Sequence, residues 1–600
     1  MSEAEVLHIV RLACDEGYEF ALDFIAQNYP QLSTYIASSL RADWIFHCYA
    51  TGDNCSCLDL GSGLGSLSFL LARFFDETVS VEWSTPRLRF QTIRKKQQNT
   101  GNLCFARADM LSLPFKDESF DLVAANGVLE WAALMRGGQP RMVQVKFLRE
   151  ILRCLKRGGC LYIGTENRFG LQYWLGARDN TSIRFTSLLP RRISDVIVTK
   201  VLRDKGWKKY ETYTYSYKGY ASLLRDAGFA FARIYWTYPT HNYPKFAGRI
   251  DDGESFKFFL EYHSRLDKSL LINTLSAVGG RMPAYVLRRL CPAVWPSYSI
   301  FAWKERESNT IESELARLLH ASSNIRISGD GRHVSFVTIA KRPEFYTQLP
   351  RFPGTSNENE QQLLRIYDNI IPTKHSIGKF DAFTQKRIDG RPCRVHNIRD
   401  CELAIEWLLK FQQRTSLKPF SQCDADEEQQ EMSLHLAKIG IDSSYALEKT
   451  NEFMKSLVTR KVSMCAEHGD FFPGNIILKS TSEVIVIDWE LFKQCGNPFY
   501  DFIFFMINIA SLPDFATHAF LANISGYGPR SQVIKRIVEM YATAKKIPAE
   551  SILLGIPYVI LRCIVRYSMY SESVDPALSQ RFRQLLRSIT TSYTTKFREL

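Results

Sequence analysis

No Cys-x-x-Cys pair occurs in the 600 residues, although there are 14 cysteines. Their scatter excludes the common zinc-site spacings, and a chain this long needs no disulfide framework. Reduced thiols and a cytoplasmic protein are expected. Nor is there an apolar run long enough to cross a bilayer. The most apolar stretch, Phe499–Leu512, is short and contains Asp501 and Asn508, so it reads as a buried helix. Met1–Arg11 carries two acids and no long apolar h-region, so no secretory signal is expected. Internal repeats, low-complexity tracts and long linkers are missing too, which implies domains that abut.

What is present is ordinary in bulk: 45% hydrophobic and 23% charged residues. The length suggests roughly two to four domains. The net charge of +13 allows attraction to nucleic acid, to an anionic membrane face or to an anionic substrate. Two basic clusters stand out, Arg191–Lys209 and the tail with Arg581, Arg583, Arg587, Lys596 and Arg598. The weight falls on a solvated surface. Phe582, Leu585, Leu586 and Ile589 within Leu578–Lys596 fit an interfacial helix, and a docked terminal helix equally well. Peripheral contact with the inner face of the membrane therefore stays open. A nucleic-acid partner is disfavoured, because only Lys208-Lys209-Tyr210 interleaves basic and aromatic residues.

In the first half, Cys57–Leu60 reads as a buried strand feeding Gly61-Ser62-Gly63-Leu64-Gly65. A helix should follow, since Leu67, Leu70, Leu71 and Phe74 recur at helical spacing. Glycines there let a ligand approach the backbone. Val79–Glu82 reads as a second strand ending in an acid placed to accept ribose hydroxyl protons. Strands are further expected at Leu103–Ala108, after the turn in Phe115–Val123 with Asn126-Gly127 at the strand's carboxyl end, and at Cys160–Gly164. Between the last two lie a helix over Phe147–Leu155 and a turn at Lys156-Arg157-Gly158-Gly159.

Leu58-Asp59-Leu60-Gly61-Ser62-Gly63-Leu64-Gly65 resembles the first motif of class I S-adenosylmethionine-dependent methyltransferases. Leu155–Gly159 is similar to their L-K-P-G-G turn, with arginine in place of proline. A hydride-transferring Rossmann enzyme is the competitor; it would want G-x-G-x-x-G and predicts no such turn. The resemblance implies that Gly61, Gly63 and Gly65 cradle the methionine part of the cofactor and that Asp59 orders the loop. It implies that Glu82 binds the ribose and that Asp109 and Met110 frame the adenine. Asn126 is a further cofactor contact. The bland alternative for Asp109 is a helix N-cap.

The methyl acceptor is less legible. Asn126-Gly127-Val128-Leu129-Glu130-Trp131 stands where amino-methylating nucleic-acid enzymes tend to carry Asn-Pro-Pro-Tyr. Glu130 and Glu166 are candidate catalytic bases, each also readable as a surface acid or a cap. Tyr210, Tyr213, Tyr215, Tyr217 and Tyr220 suggest a sugar-stacking wall, but their alternate spacing favours a strand face. A helix is expected at Leu223–Ala227. Phe229–Tyr238 and Tyr298–Lys304 read as the final strand pair, with Tyr243–Pro296 a helical insertion. Thr165–Gly170 and Leu188–Arg191 resemble segments of bacterial methyltransferases associated with surface-polysaccharide gene sets, some of which carry a kinase domain.

The second half holds His468-Gly469-Asp470-Phe471-Phe472-Pro473-Gly474-Asn475, an apolar strand, a turn, and Val484-Ile485-Val486-Ile487-Asp488. Phosphoryl transfer needs such a set: one group to orient the attacking hydroxyl, others to hold metal on the phosphates. The pattern resembles that of aminoglycoside and choline-type kinases. The resemblance implies Asp470 as catalytic base, Asn475 and Asp488 as magnesium ligands, His468 as brace and Asp501 as loop anchor. The ATP-holding part is fainter. Val334–Ala340 is a strand ending at Lys341, which would pair with Glu360, or else Glu358; a surface lysine gives the same letters. Gly329-Asp330-Gly331 reads as a hairpin rather than a phosphate-covering turn. Phe383–Ile388 resembles the adenine-contacting hinge strand, and Leu403–Gln412 the helix after it. Helices are also expected at Ser531–Lys545 and Pro557–Tyr570.

The expected fold is an α/β, doubly wound, Rossmann-like methyltransferase domain followed by an α+β protein-kinase-like domain of the aminoglycoside phosphotransferase type. Expected boundaries are 1–50 for a helical preface, 51–306 for the methyltransferase domain and 307–600 for the kinase-like domain. The implied cofactors are S-adenosylmethionine, ATP and Mg2+. The expected function is methyl and phosphoryl transfer to hydroxyls of a small-molecule or saccharide acceptor, such as a surface-polymer precursor. The alternatives are a methyltransferase with a non-catalytic kinase-like scaffold and a nucleic-acid-modifying methyltransferase. Similar domain order occurs in enzymes that end O-antigen chains, but their C-terminal coiled coil has no heptad counterpart here after Val574.

Overall fold

A computed structural model describes the chain. Outside the described residues lie 30–31, 33–35, 37, 49–54, 135–138, 180–182, 202–212, 264–277, 306–309, 320–322, 329–332, 340–342, 351–372, 378, 387, 439–443, 480–482, 490, 512–516 and 570–600. Lys341, Glu358, Glu360, Tyr210 and the basic tail fall among these.

Contacts divide the chain into two compact units, Met1–Thr355 with Pro372–Lys386, and Ser356–Ile371 with Arg387–Leu600. The first is built on β1 (Ser56–Leu60), β2 (Glu77–Val81), β3 (Leu103–Ala106), β4 (Phe120–Asn126) and β5 (Leu155–Glu166). These run parallel in the order 3-2-1-4-5. β6 (Phe231–Tyr238) and β8 (Ser297–Trp303) pair as expected, and they run antiparallel, Ile234 facing Ile300, while β8 lies antiparallel on β5. All of β8 is buried, as expected of an inner strand flanked by β5 and β6, and Tyr298, Ile300, Phe301 and Trp303 supply its bulk.

The sheet does not stop there. β7 (Phe246–Arg249) pairs with β6 on one side and with β9 (Ser323–Ser328) on the other. β10 (His333–Ile339), β11 (Pro343–Pro350), β12 (Thr373–Ile377) and β13 (Phe380–Lys386) continue it to thirteen strands among the described residues. The expected division at 306 therefore falls inside the first compact unit. The cause is β7, a strand within the Tyr243–Pro296 segment read as helical. Around it, Gly253–His263 and Ala284–Val294 are helices. At the β7–β9 seam Arg326 is fully buried, 3.9 Å from Asp43 and 3.1 Å from Ser328 Oγ.

Other local readings shift for clear reasons. Tyr215 makes only an isolated bridge, to Asn167, and Tyr217–Ala227 is a helix rather than a strand face. The Ser216 hydroxyl accepts from the Gly219 amide as N-cap, Gly228 at φ 104° ends the helix, and Tyr220, Leu223, Leu224 and Ala227 are its buried stripe. The Lys156–Gly159 turn is absorbed into β5 as an irregularity between Phe120 and Leu122 of β4. The preface is helical where described. Glu3–Asp15 opens on a Ser2/Glu5 capping box, and Ile9 and Ile25 pack with Phe90.

In the second unit, Tyr500–Ser511 is buried at every position, as an all-round apolar helix must be. Ile398–Arg414, Ser444–Thr459, Ser531–Lys545 and Ile556–Met569 supply most of the rest of its core. Among the described residues, no single helix is long and apolar enough to cross a membrane. The bent pair Ser531–Lys545 and Ala549–Arg566 reaches that length and apolarity only jointly, across a 105° break.

Candidate functional site

The glycine turn after β1 is pinned from three sides. The Gly61 and Ser62 amides both donate to the Val81 carbonyl, at 2.9 and 3.1 Å. Gln91, fully buried on the helix Thr85–Gln98, donates to the Gly63 carbonyl at 2.8 Å and to Ser62 Oγ at 2.9 Å. Ser80 Oγ lies 2.7 Å from both Ser62 Oγ and Gln91 Oε1. Gly61, Gly63 and Gly65 all have positive φ (66°, 61° and 82°). A Cβ at Gly61 would press on Val128 and one at Gly65 on Gln91, while the position over Gly63 is open. That opening is what a ligand resting on the turn requires. Sequence reasoning missed Gln91, Ser80 and Ser68, whose letters are those of any polar helix or strand residue.

Glu82 directly follows β2: Oε2 accepts from Gly63 N and Oε1 from Ser84 N, each at 2.9 Å, and Arg87 lies 3.8 Å from Oε2. A carboxylate has about four acceptor sites, so capacity remains for a diol. Asp59 lies beneath the turn and accepts from Ser68 Oγ at 2.6 Å; burial pushes its carboxyl up to about 7. Asp109 Oδ1 accepts from the Leu111 amide at 2.9 Å, closing a side-chain turn instead of capping a helix. Met110 is buried in the core of the sheet's helix-covered face. The donor set and the open turn fit S-adenosylmethionine.

Asn126 and Glu130 stand at the carboxyl end of β4, both buried. Burial first, then Glu166, pushes Glu130 up to about 8. Glu166 is raised as well, by burial, and accepts from Tyr173 O–H. Tyr220 O–H lies 2.8 Å from Thr165 Oγ1 and 3.1 Å from the Glu166 carbonyl, so Tyr220 faces inward and is no part of an open stacking wall.

In the second unit the His468–Asn475 loop is held by its own polar groups. Asp501 accepts from the His468 and Gly469 amides at 2.7 and 2.9 Å. His468 Nδ1 accepts from the Asp470 amide at 3.2 Å, and its Nε2 lies 3.0 Å from the Ile487 carbonyl. That assigns the proton to Nε2, and burial holds the ring neutral, with its pKa lowered to about 3. Asn475 Nδ2 donates to Asp470 Oδ2 at 3.0 Å and to its carbonyl at 3.1 Å. Ile476–Leu478 pairs with Val484–Val486, and the Ile487 amide donates to the Asn475 carbonyl at 2.9 Å. This register brings Asp488 beside Asn475. With its amide nitrogen spent on Asp470, Asn475 keeps Oδ1 for a ligand. An amide oxygen and a carboxylate are the hard donors magnesium takes, with phosphates and water completing the shell. Among the described residues there is no cluster of three or more His, Cys, Asp or Glu able to hold a metal unaided. Arg566, on the last described helix, was not singled out by the sequence; it donates to the Gly469 carbonyl and lies 3.7 Å from Asp470 Oδ1.

Comparison with known proteins follows the same two stretches. Residues 58–163 match the family model described as "Methyltransferase domain", and residues 344–530 the one described as "Phosphotransferase enzyme family". The demethylmenaquinone methyltransferase of Lactiplantibacillus plantarum is 30% identical over 146 residues, 23% of this chain and 58% of that protein. The malonyl-[acyl-carrier protein] O-methyltransferase of Legionella pneumophila is 33% identical over 108 residues, 18% of this chain and 35% of that protein. The chain thus spans 35% to 58% of the length of these curated relatives. A solved phosphoethanolamine N-methyltransferase 2 of Haemonchus contortus is 16% identical, covering 50% of this chain and 60% of that one, with a TM-score of 0.28, too loose to bear on any residue of the site. The chain joins a Rossmann-like methyltransferase domain to a phosphotransferase-family domain.

Proposed function

We propose that this chain is a bifunctional enzyme that transfers a methyl group from S-adenosylmethionine and a phosphoryl group from ATP to hydroxyls of a saccharide or related surface-polymer precursor. The observation that carries this reading is the independent completeness of the two loops. Each keeps its chemical groups in place by hydrogen bonds to its own frame, and each leaves the atoms that a cofactor would use.

In the methyltransferase domain, Gly61, Gly63 and Gly65 bear the cofactor's methionine part, Glu82 takes its ribose, and Asp109 and Met110 flank its adenine. Bound there, the cofactor supplies an electrophilic methyl group. The protein's share is to position the acceptor in a site from which water is excluded. In the phosphotransferase domain, Asp470 accepts the acceptor's hydroxyl proton and Asn475 and Asp488 hold magnesium. ATP with magnesium supplies the phosphoryl group. His468, Asp501 and Asn475 keep Asp470 in one orientation, which matters because phosphoryl transfer is mostly positioning and charge neutralisation. Lys341 and Glu360 are assigned to the ATP phosphates by resemblance alone.

The proposed boundaries of the two family domains remain 51–306 and 307–600. We place the protein in the cytoplasm, with contact to the inner membrane face through the basic tail.

The test is ligand-induced thermal stabilisation of the full chain, first with S-adenosylmethionine and separately with magnesium and ATP. Asp59→Ala should abolish the first shift alone, and Asp488→Ala the second alone. No shift with nucleotide under magnesium or manganese would remove the kinase half of the reading and leave a methyltransferase carrying a scaffold.

A further inference from the structure

Three buried polar side chains beyond the glycine turn carry atoms with no protein partner. Asn126, 7% exposed, has neither amide atom hydrogen-bonded. Glu130, 5% exposed, in the helical turn Leu129–Leu134, leaves Oε2 unpaired. His241, 2% exposed, in the turn between β6 and β7, leaves Nδ1 unpaired. Native proteins avoid such an omission unless something else completes the bond.

These groups are neighbours. A Cβ on Gly127 would lie 3.8 Å from His241 Nε2 and 3.9 Å from Glu130 Oε1. Gly127 takes φ 70° and carries no side chain to stand between them. Asn126 directly precedes it, and its amide occupies the place a Cβ on Gly164 would need. The glycine turn is adjoining, since a Cβ on Gly61 would lie 2.8 Å from Val128 Cγ2. In an open α/β sheet this position, outside the carboxyl ends of β1 and β4, is where ligands bind.

We propose that Asn126, Glu130 and His241 form the methyl-acceptor site and that it takes an uncharged hydroxyl group. Glu130 and Asn126 Nδ2 donate hydrogen bonds to the acceptor oxygen, and His241 Nδ1 accepts one from its O–H. The inference rests on the methyltransferase reading above. It selects Glu130 over Glu166, whose carboxylate is already engaged by Tyr173. It also adds His241, which no motif marks.

The charge state agrees with the geometry. Glu130, raised to about 8 by burial and then Glu166, keeps its proton at neutral pH. Burial and then Arg41 lower His241 to about 3, so the ring is neutral. Tyr220, whose own phenol is pushed up by burial and then by Glu130, stays protonated beside them. An ammonium group would find no carboxylate among the three side chains, and a carboxylate would find a neutral acid and a neutral ring.

The test uses the full chain saturated with S-adenosylhomocysteine and three two-carbon probes that differ in charge: ethylene glycol, ethanolamine and glycolate. Binding is read by saturation-transfer NMR and by the His241 ring resonances. Ethylene glycol should give the strongest signal and shift the His241 ring. Losing a buried hydrogen bond in Glu130→Leu or His241→Phe should weaken that signal about tenfold, while Glu130→Gln, which keeps a donor, retains it. S-Adenosylhomocysteine affinity should not change in these variants, which also reports that they are folded. A preference for ethanolamine or glycolate overturns the proposal, as does a His241 ring indifferent to all three probes. Weakened S-adenosylhomocysteine binding in the variants would instead assign the three residues to the cofactor. Failure of the wild type to bind S-adenosylhomocysteine would sink the methyltransferase reading itself.

Discussion

Glu130 is a carboxyl that the fold keeps protonated up to about 8, against 4.5 for its ordinary value. Below about 4.5 both folded and unfolded chains bind that proton. Above it the unfolded chain ionises first, so stability falls with each pH unit until the folded carboxyl also ionises, by at most about 1.4 kcal/mol per unit. Glu130→Gln has no proton to lose. Its urea midpoint should therefore rise relative to wild type as pH goes from about 5 to about 8; a constant gap would show that the carboxyl ionises normally. Gly469 makes a different demand. It takes φ 83°, and a Cβ there would run into the Leu491 carbonyl oxygen. Gly469→Ala should cost at least about 1–3 kcal/mol, read in the melting temperature, because neither the backbone angle nor the space can be supplied.

At the level of elements, the parallel core was legible. Strands 1, 2, 4 and 5 and both loops announce themselves through apolar runs ending in glycine or acid. What was missed depends on partners distant in sequence. β7 has four residues, too few for a period, and becomes a strand because β6 and β9 lie on either side. The tyrosines before Ala227 alternate as in a strand, yet Ser216 caps a helix that takes Tyr217 and Tyr220 out of that pattern. His241 was invisible because a lone histidine in a loop has no pattern. Lys341 and Glu360 fall outside the described residues, so their pairing stays a resemblance. The capped helix yields a prediction. Ser216→Ala removes the bond to the Gly219 amide and should cost about 1 kcal/mol. Because Tyr220 on that helix bonds Thr165 and the Glu166 carbonyl, amide exchange should also quicken at the end of β5. Unchanged exchange there would show that the helix and β5 are held independently.

Over the whole first unit, one sheet runs from strands of the methyltransferase domain into strands expected of the ATP-holding lobe. A chain ending at 306 would strip β7 of β9 and expose an apolar edge at Phe246 and Ala247, both buried here. Such edges template aggregation. Size-exclusion chromatography should find that chain aggregated, and one ending after Lys386 dispersed. Equal behaviour of the two would show that the seam is dispensable. The seam consists of Phe246 opposite Ile327, Ala247 opposite Arg326 and Gly248 opposite Ile325, with Arg326 sealed in beside Asp43. Recombination that exchanges either coding module must carry this register with it. A heritable unit that keeps this seam has to reach past 306, because a gene split there parts β7 from β9.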